Sequence, residues 1–598
     1  MIASASPIRD GRRGSSILVA IALTTLLASC ALPSLPPLPW QTRGPTPLPD
    51  AQQIAHIALL SNGDASRMLD PGSAAYADPA QAQILALLYS SLFTLDARLR
   101  PIPALARGYS VSADGLRFTF HLRTDVRFSD GTALTSADIA FSLNRAMSGC
   151  VAYAPEVFGA VKDQPAFTQR CLGGPPPGQR AVTTLIGDAL LMPDPYTIVI
   201  VLARPDGALI SKLAEPYSVI LEQSVVTHYG AQWPMHLADG GGQGTSGMYA
   251  VSAWKPWGPY TDGSLTLTVA RDYWGQRPRL RQVIFALRTR ESSTPTATSA
   301  YSDETFAIQP TDDIVLDSFS PALDPPGSAG KRLTYHSAPE RMLLALALNS
   351  LQAPLDDVRV RQALALALNR TALAKIVNGQ ATNHLIPPGT GAYPAVLSGA
   401  IASEPLTGDV AKARSLWQSY VRDRCGGDAS RCPVVTIFVS GPLGQPTPFD
   451  QAVIARWQAI LPGLRLAQVG AIGMLMDENI PPYAVLPVYW SEDYPDPQDW
   501  LASFAWEPGG VPTTPMAHEA RADALVARAE TTLNPTARLS LYQQAENTLL
   551  NDAIAVPIAQ MNDAWRLKST VANFPANPAP WIPPNAWARI YLTTTPGA

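Results

Sequence analysis

A chain of 598 residues is too long for one hydrophobic core, so at least two lobes are expected. With 46% hydrophobic and 15% charged residues it has the composition of a folded soluble protein, and 57 prolines argue for loops and extended segments rather than a helical bundle or long coiled coil. A formal charge of -4 gives no reason to bind nucleic acid, and Arg277, Arg279, Arg281, Arg288 and Arg290 are read as a solvated face.

At the start, Arg9, Arg12 and Arg13 precede an apolar run from Ile17 to Leu27 that ends in small residues. That run is about 11 residues against the roughly 20 a membrane-spanning helix needs, so residues 1–29 are read as a signal peptide. Leu27-Ala28-Ser29-Cys30 resembles the lipobox of bacterial lipoproteins, which implies that Cys30 is lipidated and becomes the mature N-terminus; an incidental cysteine behind an ordinary signal peptide is the alternative. Residues 30–50, with Pro33, Pro36, Pro37, Pro39, Pro45, Pro47 and Pro49, then form an extended tether. Setting Cys30 aside leaves an even number of cysteines in an oxidising compartment, and proximity pairs Cys150 with Cys171 and Cys425 with Cys432. A metal site is the rival reading, but neither pair has C-x2-C spacing or histidines at ligand spacing.

Ile54 to Leu60 reads as a strand and Pro79 to Leu92 as a helix capped by Asp78. Tyr109–Ala113 and Leu116–Leu122 flank Asp114-Gly115, predicting a hairpin with a type I′ turn. Leu116, Phe118, Phe120 and Leu122 alternate with Arg117, Thr119 and His121, so one face is buried and His121 lies on the wet one. A helix from Thr135-Ser136-Ala137-Asp138 to about Met147 follows, then strands near Thr197–Leu202 and Leu265–Ala270. The run Gly240–Gly244 lacks the lysine of a phosphate loop and reads as a connection. Past Pro354, Asp356 or Asp357 caps a helix with Val360, Ala363, Leu364, Ala367 and Leu368 on one stripe, and Asn369 caps another that stops at Asn378-Gly379. This alternation predicts an α/β, mixed α+β, protein. No G-x-S-x-G elbow or H-E-x-x-H helix is present and the seven histidines are scattered, which argues against an enzyme.

Several segments together are similar to one family. Leu69-Asp70-Pro71, Asp114–Arg123, Val126–Gly131, Thr245–Tyr249, Arg271–Gly275, Asn349 with Pro354 and Val360–Ala363, and Asp493-Tyr494-Pro495-Asp496-Pro497 resemble motifs of the solute-binding proteins of the peptide/nickel/oligopeptide ABC-importer group. The resemblance implies a two-lobed periplasmic-binding-protein-like fold with a ligand cleft: lobe I at 51–340 with an extra subdomain at about 95–185, lobe II at 341–560, and a return to lobe I at 561–598. Crossings are expected near Ser337–Leu343 and Val556–Asn562. It further implies a monomer without cofactor, metal or catalytic residues, held outside the cell membrane by its lipid and passing di- or oligopeptides to an ABC permease. Another solute on the same scaffold (oligosaccharide, nickel chelate, haem or opine) and a peptide-sensing receptor are the alternatives.

By the same resemblance, Asp493 stands where peptide-binding members place the acid that meets the ligand's ammonium; organising the turn before Pro495 is the other reading. Tyr489, Trp490 and Ser491 match the segment that runs along the bound main chain, Trp490 and Tyr494 are either cleft walls or core, and Asn349 completes the candidate ligand set. Some oligopeptide binders carry an arginine for the ligand's carboxylate where this chain has Pro487, so recognition of that carboxylate does not transfer.

Overall fold

The computed structural model describes residues 46–594 apart from 61–67, 74–78, 149–156, 170–180, 257–262, 289–312, 318–332, 388–389, 391–396, 400, 440, 442–443, 471–483, 503, 505–518 and 576–580. The signal segment, Cys30, most of the tether, Asp78 and the Cys150–Cys171 pairing lie outside the described residues.

β1 (Ile54–Leu60) leads to α1 (Pro79–Leu88), which stops short of the expected Leu92 because the Ser90 N–H is taken by the Ser246 hydroxyl at 3.0 Å instead of continuing the helix. A short pair, β2 (Phe93–Leu95) and β3 (Pro101–Pro103), precedes the hairpin of β4 (Ala106–Val111) and β5 (Arg117–Leu122). In the hairpin turn only Gly115 has a positive φ, 74°, and its N–H donates to the Ser112 carbonyl at 2.9 Å. The turn is therefore not type I′, which needs two residues with positive φ. Phe118, Phe120 and Leu122 are buried while Arg117 and His121 are exposed, as the alternation requires. α2 (Ser136–Ala146) starts where the Thr135 N–H donates to Asp138 Oδ2 at 2.9 Å. With β6 (Leu190–Asp194) and β7 (Thr197–Val201), β4 and β5 make a four-stranded sheet ordered β4-β5-β7-β6, whose core includes Phe120, Ile139, Leu143 and Ile200.

The rest of the chain supplies β8 (Tyr249–Lys255), β9 (Gly263–Val269), β10 (Gln282–Arg288), β11 (Ile314–Asp317) and β12 (Leu333–Leu348). α3 (Val358–Ala367) follows, capped by Asp357, then α4 (Arg370–Ile376), capped by Asn369, and the chain turns at Asn378 (φ 51°) into β13 (Gly379–Ala381). α5 (Val410–Arg424), β14 (Val435–Val439), α6 (Pro448–Ile460), β15 (Leu466–Gly470) and β16 (Val485–Ser491) come next. α7 (Pro497–Ala502), α8 (Ala520–Glu530), α9 (Pro535–Asn551) and β17 (Ala555–Lys568) follow. A disulfide joins Cys425, just after α5, to Cys432 before β14.

Among the described residues the largest sheet has 11 strands, ordered β15-β14-β16-β12-β17-β11-β1-β10-β9-β8 with β13 paired to β17. The 16-residue β12 and 14-residue β17 are its backbone. At roughly 3.3 Å per residue β12 spans about 50 Å, enough to serve two bodies in turn. Its far half, Met342–Leu348, pairs with β16, while the opposite end of β17, Ala564–Leu567, pairs with β11. Between them the register shifts from Pro339↔Asn562 to Leu343↔Gln560, within the segments expected to cross between lobes. The apolar run Leu343–Leu348 is buried on both faces: Leu344, Leu346 and Leu348 pack with Leu364, Ile437 and Trp457, and Leu343, Ala345 and Ala347 pack with Trp500, Leu525 and Tyr542. That is why it reads as continuous hydrophobic sequence instead of alternating. A separate core of Ile57, Leu85, Leu267 and Phe285 lies at the β1-β10-β9 end.

Candidate functional site

β16 ends at Ser491, paired with Met342, and the chain turns through Glu492–Asp496 into α7. The turn folds back on itself. Asp499 Oδ2, from the first turn of α7, accepts the Asp493 N–H at 2.9 Å and the Trp490 indole N–H at 3.3 Å. Asp496 Oδ1 accepts the Gln498 N–H at 3.0 Å, so two aspartates fix both ends of this short helix entry. Glu492 is ion-paired with Arg341 of β12 and accepts the Trp500 indole N–H at 3.2 Å, and its own N–H donates to the Arg341 carbonyl at 2.8 Å.

The turn also meets the segment after β7. Tyr217 donates its hydroxyl to the Asp493 carbonyl at 3.3 Å, and Tyr494 enters the core of the four-stranded sheet, with the Lys212 ammonium 5.0 Å from its ring centre. Lys212 is paired with Asp206 at 2.8 Å, and Arg538 of α9 reaches both Asp496 oxygens at 2.7 and 2.8 Å. Two residues before Tyr217, Glu215 Oε2 accepts the Trp581 indole N–H at 3.1 Å.

The result is a buried charged cluster in which Asp206, Glu215, Glu492, Asp493, Asp496 and Asp499 are at most 8% exposed. Its cations are Lys212, Arg341 and Arg538. Burying so many acidic side chains together is a situation that pushes protons onto acids. Burial raises the Glu215 carboxyl to about 7, with Arg341 opposing and Asp493 reinforcing the rise. Burial, and after it the charge of Asp493, holds Asp499 well above the usual carboxylate range. Burial also raises Asp496 despite Arg538. No group of three or more His, Cys, Asp or Glu among the described residues is arranged to hold a metal ion.

Beside Glu215 lies a small, partly open recess of about 40 Å³, lined by Ser90, Tyr273, Trp274 and Trp581 and by Glu215's neighbours Ala214 and Pro216. Its wall is tied together by the Trp274 indole N–H donating to Ser90 Oγ at 3.3 Å and Ser90 Oγ donating to the Ser246 carbonyl at 2.8 Å. Gly247 is required behind it, since a Cβ there would sit 2.4 Å from the Leu87 carbonyl oxygen.

Of the candidate ligand residues, the structure gathers Trp490, Ser491, Asp493 and Tyr494 around Asp499 and Arg341. Trp490 packs against the core containing Trp500, and Tyr489 is 44% exposed. Asn349 stands apart, seven positions along β12 and beyond from Met342, the partner of Ser491, or roughly 20 Å away. There its Oδ1 accepts the Leu351 N–H at 3.0 Å.

Residues 100–510 match the model of the bacterial extracellular solute-binding proteins, family 5. The chain belongs to this family. Among its relatives, the glutathione-binding protein GsiB of Salmonella paratyphi A is 26% identical over 526 residues, covering 84% of this chain and 89% of that one. The fold matches the periplasmic murein tripeptide binding protein MppA in its unliganded open form with a TM-score of 0.70 at 19% identity, over 92% of this chain and 99% of MppA. Haemophilus influenzae OppA in complex with the peptide RPPGFSPFR matches with a TM-score of 0.58 at 18% identity, over 90% of this chain and 99% of that one. Family membership makes the chain a solute-binding protein rather than an enzyme, on the two-lobed α/β fold of these structures.

Sequence reasoning about this family-5 protein missed Glu215, Tyr217, Arg341, Glu492 and Asp499 as members of the site. Glu492 and Asp499 flank the recognised Asp493–Pro497 motif and a search for carboxylates around it would have found them. Glu215 and Arg341 have no such signal, being brought in from 278 and 152 positions before Asp493 only by the fold.

Proposed function

We propose that this protein captures peptides outside the cytoplasm and hands them to the permease of an ABC importer, tethered to the membrane through a lipid on Cys30. The peptide sits between two lobes, divided near residues 340 and 560 where β12 and β17 cross. Asp493 receives its terminal ammonium, and the main chain of Tyr489, Trp490 and Ser491 runs along the extended guest. The observation that carries this reading is the burial of Asp493 among the acidic side chains of Glu215, Glu492, Asp496 and Asp499, surroundings that suit a guest bringing a positive charge. The ligand named for the GsiB relatives, glutathione, and the peptide in the OppA complex both carry a free ammonium, which agrees with it. Asn349 is left out of the contact set because of its place beyond the far end of β12.

A thermal-shift panel of glutathione, dialanine, a nonapeptide and cellotriose tests the proposal. Peptides are expected to raise the melting temperature in a saturable way. Stabilisation by the sugar alone would remove the peptide reading.

A further inference from the structure

Glu215 is 4% exposed, and while Trp581 occupies its Oε2, the other oxygen, Oε1, is buried without a hydrogen-bond partner among the described residues. A buried carboxylate oxygen left unsatisfied is costly and rare in a native fold, and calls for a missing partner. Its surroundings say what kind. The charged groups acting on it are Arg341, already paired with Glu492, and Asp493, which itself acts on Asp499. The hydroxyl of Tyr217, two positions on, touches the Asp493 main chain at 3.3 Å, so this loop and the candidate ammonium site are in direct contact. Ala214, Pro216 and Trp581, which bracket Glu215, line a small recess of about 40 Å³.

We propose that Glu215 is a second ligand-binding carboxylate, holding the cationic nitrogen of the guest together with Asp493. Glu215 thereby makes a positively charged amine a requirement for binding instead of a preference. This rests on the peptide reading given above. It also explains why a carboxyl raised by burial is tolerated there: below neutral pH Glu215 in the empty protein carries a proton, and a bound ammonium replaces that proton, which leaves to solvent. Arg341 is in reach of Glu215 and Asp499 as well as Glu492, so it moderates the three acids without satisfying Glu215 Oε1.

The test is retention from two mixtures, a random tripeptide library and the same library N-acetylated, measured by mass spectrometry on the purified wild type, Glu215→Gln and Asp493→Asn. Gln at 215 keeps an acceptor for the Trp581 indole, and its melting curve verifies that it folds; Glu215→Asp, which keeps the charge on a shorter arm, is the companion variant. The expected result is that the wild type retains free-amine peptides and excludes the acetylated ones. Glu215→Gln should retain free-amine peptides at least about tenfold less well and lose most of that discrimination, with Glu215→Asp in between. Retention and discrimination by Glu215→Gln equal to the wild type would overturn the role of Glu215 while leaving Asp493 and the peptide reading standing. Equal retention of both libraries by the wild type would overturn the ammonium requirement and this inference with it while leaving peptide capture standing; retention of neither would overturn the peptide reading itself.

Discussion

Replacing Glu215 by Gln should stabilise the unliganded protein at alkaline pH and leave it nearly unchanged in acid. The carboxyl has an ordinary value of 4.5 and is raised to about 7 by burial. Between those two values the folded state holds a proton that the unfolded chain has released, so wild-type stability falls as pH rises from 4.5 to 7 and is level above. At 1.36 kcal/mol per pH unit the full loss is about 3 kcal/mol. Gln carries no charge to bury and keeps an acceptor for the Trp581 indole, so it escapes this loss. Melting curves of wild type and variant should therefore nearly coincide at pH 4.5, separate progressively to about pH 7 and keep that separation to pH 8, with the variant on top. A constant offset across that range, or a variant less stable at pH 8, would show that the Glu215 carboxyl is not a buried acid held near neutrality and would refute the reasoning.

Asp493→Asn should weaken binding of free-amine peptides by roughly 30-fold to several thousandfold, the 2–5 kcal/mol cost of truncating one side of a desolvated charged pair, as read by calorimetry. Arg538→Ala leaves buried Asp496 without its two contacts at 2.7 and 2.8 Å and should cost about 3–5 kcal/mol of stability in urea titrations, with much of it recovered by adding Asp496→Asn. Gly247→Ala drives a methyl to 2.4 Å from the Leu87 carbonyl oxygen and should cost about 1–3 kcal/mol in the same assay. Replacing Cys425 and Cys432 together by Ser opens a loop of sequence separation 7 and should cost about 2.5 kcal/mol, measured against the oxidised wild type.

What could be read in the sequence was what one segment determines by itself. The alternation of Phe118, Phe120 and Leu122, the caps at Thr135, Asp357 and Asn369, and the stop at Asn378 each involve neighbours within a few positions, and each lies where the residues said. Even there, a distant partner can intervene: Ser246, 156 positions from Ser90, ends α1 early. The type I′ assignment failed for a local reason, because an Asp-Gly pair also suits a turn in which glycine alone takes the left-handed conformation, and Asp114 does not follow it there.

The candidate site follows the same rule with a sharper consequence. Trp490, Asp493 and Tyr494 belong to one recognisable motif, but Asp493 acts on Glu215, and Arg341 acts on both Glu215 and Asp499, so the electrostatics of the motif are shared with residues from elsewhere in the chain. Motif recognition can therefore nominate Asp493 as a receptor for an ammonium, yet cannot tell whether the surroundings supply enough positive charge to make the guest's own charge unnecessary. The cations near this cluster are themselves engaged: Lys212 pairs with Asp206, Arg538 with Asp496, and Arg341 with Glu492 while also acting on Glu215 and Asp499. On the proposed reading, the requirement for a cationic guest belongs to the assembled cluster rather than to the motif alone. Adding a positive charge at its edge, as in Ser491→Lys beside Met342, should relax that requirement and bring N-acetylated peptides closer to their free-amine counterparts in affinity.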